Sequence, residues 1–219
     1  MPQATAAIDN SRKIILVGNP NVGKSVIFSL LTGQYATVSN YPGTTVEISR
    51  GRAKGWTEAA EVIDTPGIVS LEAASEDEQI TRRIIEESPE AVIVQVADAK
   101  NLRRSLLVTL PLIEMGLPVH LNLNMIDEAD NRGVAIDSRT LSRLLGIEVS
   151  ETAAIQRRGL DSLKKGLKRI RPGTWRIDYG RETAEAIEAI AALLPTNGIS
   201  PRARAVMFLA GSAGSDGLP

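Results

Sequence analysis

Short apolar runs alternate along the chain with longer stretches in which apolar positions recur every three or four residues. Lys13–Val17 (KIILV) is apolar almost throughout and ends at Gly18, which predicts a strand buried on both faces that feeds a loop. Ala91–Ala97 (AVIVQVA) and Pro118–Leu123 (PVHLNL) have the same character, and Glu148–Ser150 is a shorter run of the kind. Val46–Lys54 and Glu58–Ile63 flank Gly55-Trp56 and predict two strands paired through that turn. Helical spacing predicts helices over Ser25–Leu31, Leu102–Met115, Ser138–Leu145 and Leu160–Ile170, with Gly116, Pro118 and Gly146 as stops. Six strands alternating with helices imply right-handed crossovers, hence an α/β fold with a mostly parallel six-stranded sheet and helices on both faces. Ligands on such sheets sit beyond the carboxyl ends of the strands.

The pattern breaks at Arg171-Pro172-Gly173-Thr174, which reads as a linker. Beyond it, Arg181–Leu194 predicts a helix carrying Glu182, Glu185 and Glu188, Pro195–Gly198 a turn, and Arg202–Leu209 a further helix opened by Ser200-Pro201. The final AGSAGSDGLP reads as a frayed end. The expected organisation is a flexible tail over 1–12, a main domain over 13–171, and a partial helical appendage over 172–219.

Composition narrows the classes. The chain has 219 residues, 43% of them hydrophobic, enough for one substantial core. Net charge is -1, so no global basic field points to nucleic acid, and 3% aromatics is too few for base-stacking platforms. No cysteine is present, which excludes disulfides and thiolate metal sites. The single histidine, His120, lies in a predicted strand and reads as structural, because metal sites need several convergent ligands. No apolar run reaches the ~20 residues that span a bilayer. Arg157, Arg158, Lys164, Lys165, Lys168, Arg169 and Arg171 form a basic cluster that could meet anionic headgroups or RNA phosphates, but a solvated helix face is the simpler reading.

The chemistry lies in loops after strands. Gly18-Asn19-Pro20-Asn21-Val22-Gly23-Lys24-Ser25 fits G-x-x-x-x-G-K-[ST], a glycine-rich loop whose amides cradle phosphate oxygens at the start of a helix. Nucleotide contacts are expected from Asn19 through Val26, with Lys24 reaching the β- and γ-phosphates and Ser25 a Mg²⁺ ion. Asp64-Thr65-Pro66-Gly67 follows the predicted strand Glu58–Ile63; Asp64 can hold Mg²⁺ through water and the Gly67 amide can meet the γ-phosphate. Tyr41-Pro42-Gly43-Thr44-Thr45 can complete the metal shell when the γ-phosphate is present; Thr45 is preferred and Thr44 stays open. Two loops, Gln34–Val46 and Gly67–Glu78, are the candidate two-state elements.

Asn124-Met125-Ile126-Asp127 follows the fifth predicted strand. A carboxylate at Asp127 can accept from guanine N1 and N2, a donor pair that adenine lacks. Asn124 can tie this loop to the phosphate loop, and Met125 can cover the base by apolar contact. Thr152-Ala153-Ala154 fits the loop whose amides touch guanine O6.

The order and spacing of these motifs resemble the translation-factor-like GTPases across Lys13–Ile170, which implies a Ras-like P-loop GTPase fold. Ras-type switches place a water-orienting Gln just after the D-x-x-G glycine. Ile68 stands there, as in the hydrophobic-substituted subgroup, where the residue matching Asn21 helps hold a K⁺ ion. That resemblance implies slow, K⁺-stimulated GTP hydrolysis with Lys24, Asn21, Thr45 and Gly67 as the catalytic groups.

GNPNVGKS, NYPGTTVE, DTPG and LNMIDEA together resemble the N-terminal cytosolic domain of the ferrous iron transport protein B family. The acidic helix followed by I-S-P-R resembles the start of that family's helical domain, described as restraining GDP release. The resemblance implies GTP/GDP, Mg²⁺ and K⁺ as cofactors and the parent transporter's transmembrane region as partner. It also implies a cytoplasmic domain of a bacterial inner-membrane protein, and it is compatible with a homo-oligomer. That membrane region is absent from the sequence, so the chain is either part of a longer protein or a free-standing relative. An Era-like GTPase acting on ribosome or tRNA, and a non-catalytic GTP-dependent switch, are the competing readings. The first would need an RNA-binding module with a G-x-x-G loop, which the acidic C-terminal arm lacks.

Overall fold

The computed structural model describes residues 12–33, 36–54, 60–71, 74–195 and 199–211. The expected N-terminal tail, the Gly55-Trp56 turn, most of the Pro195–Gly198 turn and nearly all of the C-terminal end lie outside them.

Seven strands form one sheet in the order β2-β3-β4-β1-β5-β6-β7. They are β1 (Arg12–Val17), β2 (Ala36–Asn40), β3 (Glu47–Arg52), β4 (Ala60–Asp64), β5 (Val92–Asp98), β6 (Val119–Asn124) and β7 (Glu148–Glu151). β1 pairs in parallel with β4 and β5, and the parallel register continues through β6 to β7. β3 runs antiparallel to β4 and to β2. The seventh strand, β2, corrects the expectation of six. All five of its residues are exposed, so it has no apolar stripe to betray it; backbone pairing to β3 at the sheet edge holds it. Part of the predicted mobile loop between the first helix and β3 is therefore strand.

Period-two alternation splits the core across the sheet. Ile14 and Leu16 face one layer with Val62, Val94 and Val96, covered by α1 (Lys24–Thr32) and α6 (Leu160–Leu167). Ile15 and Val17 face the other with Ile63, Ile93 and Leu121, covered by α2 (Glu76–Glu86) and α3 (Leu102–Glu114). Two short helices, α4 (Ile126–Asn131) and α5 (Ser138–Leu145), lie between β6 and β7.

Both α2 and α4 escape the hydrophobic pattern. α2 opens with a capping box, in which Ser75 accepts from the Glu78 amide while the Glu78 carboxylate takes the Ser75 amide. Glu78 is 7% exposed and also accepts from the amides of Val69, Ser70 and Ala74. One buried carboxylate thus shapes the loop after Gly67. Burial pushes its pKa up, but the bonds from Ser70, Ser75, Val69 and Ala74 together outweigh that and hold it below the ordinary value.

The segment expected as a linker is docked. Pro172 bridges to Pro118, and Gly173 packs so closely on Ile113 and Ile147 that a side chain there would push into both. Glu114, at the end of α3, is 5% exposed. It accepts from the Ile177 amide at 3.2 Å and pairs with Arg202 at 3.0 Å, while Arg202 reaches Glu188 at 2.9 Å. α7 (Arg181–Ala191) and α8 (Pro201–Leu209) bury Ile187 and Ala205. Arg82 of α2 contacts Met207 of α8.

Two outcomes follow from these contacts. Arg202→Ala strands the buried Glu114 carboxylate and costs about 3 kcal/mol. Urea denaturation reads that loss, and limited proteolysis then cleaves after residue 171 ahead of the sheet. Glu78 has a depressed folded pKa, so its contribution is full above the unfolded carboxylate range and fades as pH falls through the folded value. Glu78→Gln removes about 1.5–3 kcal/mol at neutral pH and flattens the acid limb of the stability profile.

Candidate functional site

Four of the predicted loops lie at the carboxyl ends of β1, β4, β6 and β7. Gly18 leaves β1 beneath Val96 O of β5, where a Cβ would collide with that carbonyl. Asn21 turns the loop at φ 63°, a left-handed conformation that asparagine tolerates better than most residues. Gly23 (φ 84°) precedes α1 with no side-chain cap, so the first amides of α1 have no side-chain acceptor. A Cβ on Gly23 would strike Asn124 Nδ2. Pro20 packs on Gly67, and Val22 is buried while Asn21 and Val26 are exposed.

The phosphate loop is fixed to the loop after β4. Ile68 N donates to Gly18 O at 3.0 Å, and Asn19 Nδ2 donates to Ile68 O at 2.9 Å. Asn19 was a candidate nucleotide contact; its side chain is 5% exposed and serves this tie. Ile68 is fully buried, consistent with its having no water-orienting role.

Lys24, Ser25 and Asp64 converge. Lys24 Nζ lies 3.0 Å from Asp64 Oδ1, and Ser25 Oγ donates to Asp64 Oδ2 at 2.9 Å. Asp64 is 7% exposed, and its Oδ1 accepts no well-directed hydrogen bond among the described residues. The site's acid and its principal cation therefore neutralise each other. Thr44 and Thr45 differ. Thr44 Oγ1 donates to Tyr41 O at 2.9 Å and receives the Val46 amide, so its hydroxyl is spent in the turn. Thr45 is exposed, as is Gly43 at φ 77°. Among the described residues no hydrogen bond joins Thr45 or Gly43 to Ser25 or Asp64.

The base-reading loop is joined to the phosphate loop directly. Asn124 Nδ2 donates to Val22 O at 2.9 Å. Asn124 Oδ1 accepts from Thr152 Oγ1 and from the Ala154 amide, each at 3.0 Å. The Ala153 amide donates to Arg158 O at 3.1 Å. Both alanine amides expected to face a base oxygen are thus engaged inside the loop, and the Ala154 donor would have to be shared. Met125 holds φ 62° at the start of α4 and directs its thioether toward Gly23. Asp127 is half-buried and accepts from Gln156 Nε2 at 2.8 Å.

Two residues here escaped the motif reading. Gln156 occupies an Asp127 oxygen. Lys100, 9% exposed at its side chain, pairs with Asp98 and Glu128 at 3.0 Å each and approaches Met125 Sδ at 3.2 Å. Burial pushes the Lys100 pKa down, but its bonds to Asp98 and Glu128 outweigh that and raise it. The D-x-K-N turn after β5 was the available signal, since Asp98 caps it through the Lys100 amide. Among the described residues no group of three or more His, Asp or Glu side chains is placed to hold a metal ion, and no helix is long and apolar enough to cross a membrane.

Residues 12–167 match the family model of ferrous iron transport protein B. The chain is 38% identical over 185 residues to the Fe(2+) transport protein A/Fe(2+) transporter FeoB fusion protein of Porphyromonas gingivalis, covering 81% of this chain and 22% of that protein. It therefore spans about a fifth of that relative's length. The cytosolic domain of the T. maritima FeoB iron transporter in apo form superposes with a TM-score of 0.83 at 35% identity, covering 92% of this chain and 82% of that one. Its GMPPNP form gives a TM-score of 0.82 at 35% identity, covering 91% and 81%. The mixed sheet and its flanking helices are those of the Ras-like P-loop GTPase fold in these G domains. On sequence and on structure, the chain belongs to the ferrous iron transport protein B family.

Proposed function

We propose that this chain binds guanine nucleotide and hydrolyses GTP, as the cytosolic switch of a ferrous iron membrane transporter. The observation that carries the nucleotide reading is the Asn124–Val22 bond, which ties the loop that carries Asp127 to the loop that carries Lys24 and Ser25. The solved relative in its GMPPNP form supports it. Iron as the transported ion rests on family membership, because the described residues offer no cluster for it.

In this reading the amides from Asn19 to Val26 hold the phosphates, and Lys24 leaves Asp64 for the β- and γ-phosphate oxygens. Asp127 exchanges Gln156 for guanine N1 and N2, and Met125 covers the base. Ser25 and Asp64 are hard oxygen donors that suit Mg²⁺, and Asp64 Oδ1, held only by its ion pair with Lys24, is open to a cation once Lys24 turns to phosphate. Thr45, exposed and unspent, is the better switch ligand; Thr44 is committed to its turn. Magnesium would neutralise phosphate charge, and a K⁺ ion held by Asn21 would add positive charge where other GTPases use an arginine. In the same reading the Gly67 amide senses the γ-phosphate. Residues 172–219 would be a linker and the start of a helical domain that restrains GDP release, and the contacts of Met207 with α2 and of Arg202 with α3 give it a path to the loop after Gly67.

Phosphate release from Mg·GTP tests the enzymatic reading. Turnover is expected to be slow in Na⁺ and faster in K⁺, with Asn21→Ala abolishing the difference. Equal rates in both salts, unchanged by Asn21→Ala, contradict the cation role. Lys24→Ala should weaken GTP binding roughly 10–100-fold through loss of charge-assisted hydrogen bonds; titration calorimetry reads this directly.

A further inference from the structure

A buried line of polar side chains runs along the seam of β6 and β7, on the face covered by α1 and α6. His120, Asn122 and Asn124 occupy alternate positions of β6, with Ser150 paired to Asn122 and Thr152 two residues further on. None of the five is more than 3% exposed. His120 Nε2 lies 2.8 Å from Ser150 Oγ. Ser150 Oγ donates to Asn122 Oδ1 at 2.9 Å, and Asn122 Nδ2 donates to Thr152 Oγ1 at 2.9 Å. Thr152 Oγ1 donates to Asn124 Oδ1 at 3.0 Å, and Asn124 Nδ2 donates to Val22 O at 2.9 Å.

With the Asn122 and Asn124 amides oriented as they stand, proton counting gives one consistent set of directions. A hydroxyl carries one proton. Ser150 gives its proton to Asn122, so His120 Nε2 must be the donor to Ser150. Thr152 accepts from Asn122 Nδ2 and gives its own proton to Asn124 Oδ1 at 3.0 Å, the shorter of two contacts, since Asn122 Oδ1 lies at 3.3 Å. All five bonds therefore point from His120 toward the phosphate loop, and aligned donors polarise one another. The assignment takes the Nε2–H tautomer, and burial, which lowers the His120 pKa to about 4, keeps the ring neutral with Nδ1 bare. The ring is pinned from above: a Cβ on Gly166 of α6 would collide with His120 Cε1. His120 Nδ1 has no partner among the described residues.

Stability alone explains this line poorly, because apolar side chains of similar shape would fill the seam without desolvating polar groups. We propose that His120, Ser150 and Asn122 form a positioning network for Asn124, holding the angle at which the base-reading loop joins the phosphate loop and thereby slowing the loss of guanine nucleotide. The inference rests on the nucleotide-binding reading above. The three residues touch neither base nor phosphate; they act through Thr152 and Asn124.

The test is stopped-flow release of a fluorescent GDP from the whole 219-residue chain, beside single-turnover hydrolysis at saturating GTP. Ser150→Ala removes one link, and Asn122→Leu removes the middle of the line at similar volume. Each should accelerate GDP release about tenfold, the scale of one hydrogen bond, and leave the hydrolysis step unchanged. The double variant should release no faster than Asn122→Leu alone, because the line acts as a unit. Val108→Ala loosens the α3 core on the opposite face of the sheet from the line and should leave release within about twofold. Unchanged release in both line variants overturns the inference, as does equal acceleration by Val108→Ala. If Ser150→Ala does not fold, Asn122→Leu against Val108→Ala decides alone. A wild type that binds no GDP overturns the nucleotide reading and the inference with it. A wild type that binds GDP beside indifferent variants overturns the inference only.

Discussion

The Asn124 carboxamide donates to Val22 O, accepts from Thr152 Oγ1 and the Ala154 amide, and stands where a side chain on Gly23 would have to be. Three loops from distant parts of the sequence keep their spacing through it. Because Asn124 is 3% exposed, water offers no substitute for those bonds, and losing one leaves a bare polar atom. Gly23 is glycine and Thr152 carries a hydroxyl for the same reason: each must leave room for, or hand a proton to, this one amide.

Around that fixed point the remaining polar groups satisfy one another. Lys24 and Ser25 both hold Asp64, and Gln156 holds Asp127. A ligand of the proposed kind would enter by exchange, taking Lys24 with its phosphates and Asp127 with its base. Such a site avoids exposing an unpaired buried charge between turnovers. Its affinity is then a difference between two well-satisfied states, and small changes in loop geometry shift it strongly.

Much of this was legible in the sequence, for physical reasons that differ by element. Strands buried on both faces, such as β1 and β5, announce themselves as unbroken apolar runs. The phosphate loop is legible because only glycine fits beneath Val96 and beside Asn124. The edge strand β2 was not, since all five of its residues face solvent and backbone pairing alone holds it. Helix α2 is polar enough to hide its period, although Ser75 and Glu78 spelled its capping box. The engagement of Lys100 with Glu128, and the docking of the arm through Arg202 and Glu114, depend on tertiary contacts that no local pattern encodes. The motifs named the loops; the partners that hold them became visible only in three dimensions.

The central claim is that Asp127, held to the phosphate loop through Asn124, selects guanine. Competitive binding of GDP, ADP and xanthosine diphosphate to the wild type and to Asp127→Asn tests it most directly. The account predicts GDP well ahead of the other two in the wild type. In the variant the preference reverses toward xanthosine diphosphate, whose carbonyl can accept from the new amide. Equal affinity of the wild type for GDP and ADP, or a variant that keeps its preference for GDP, would contradict it.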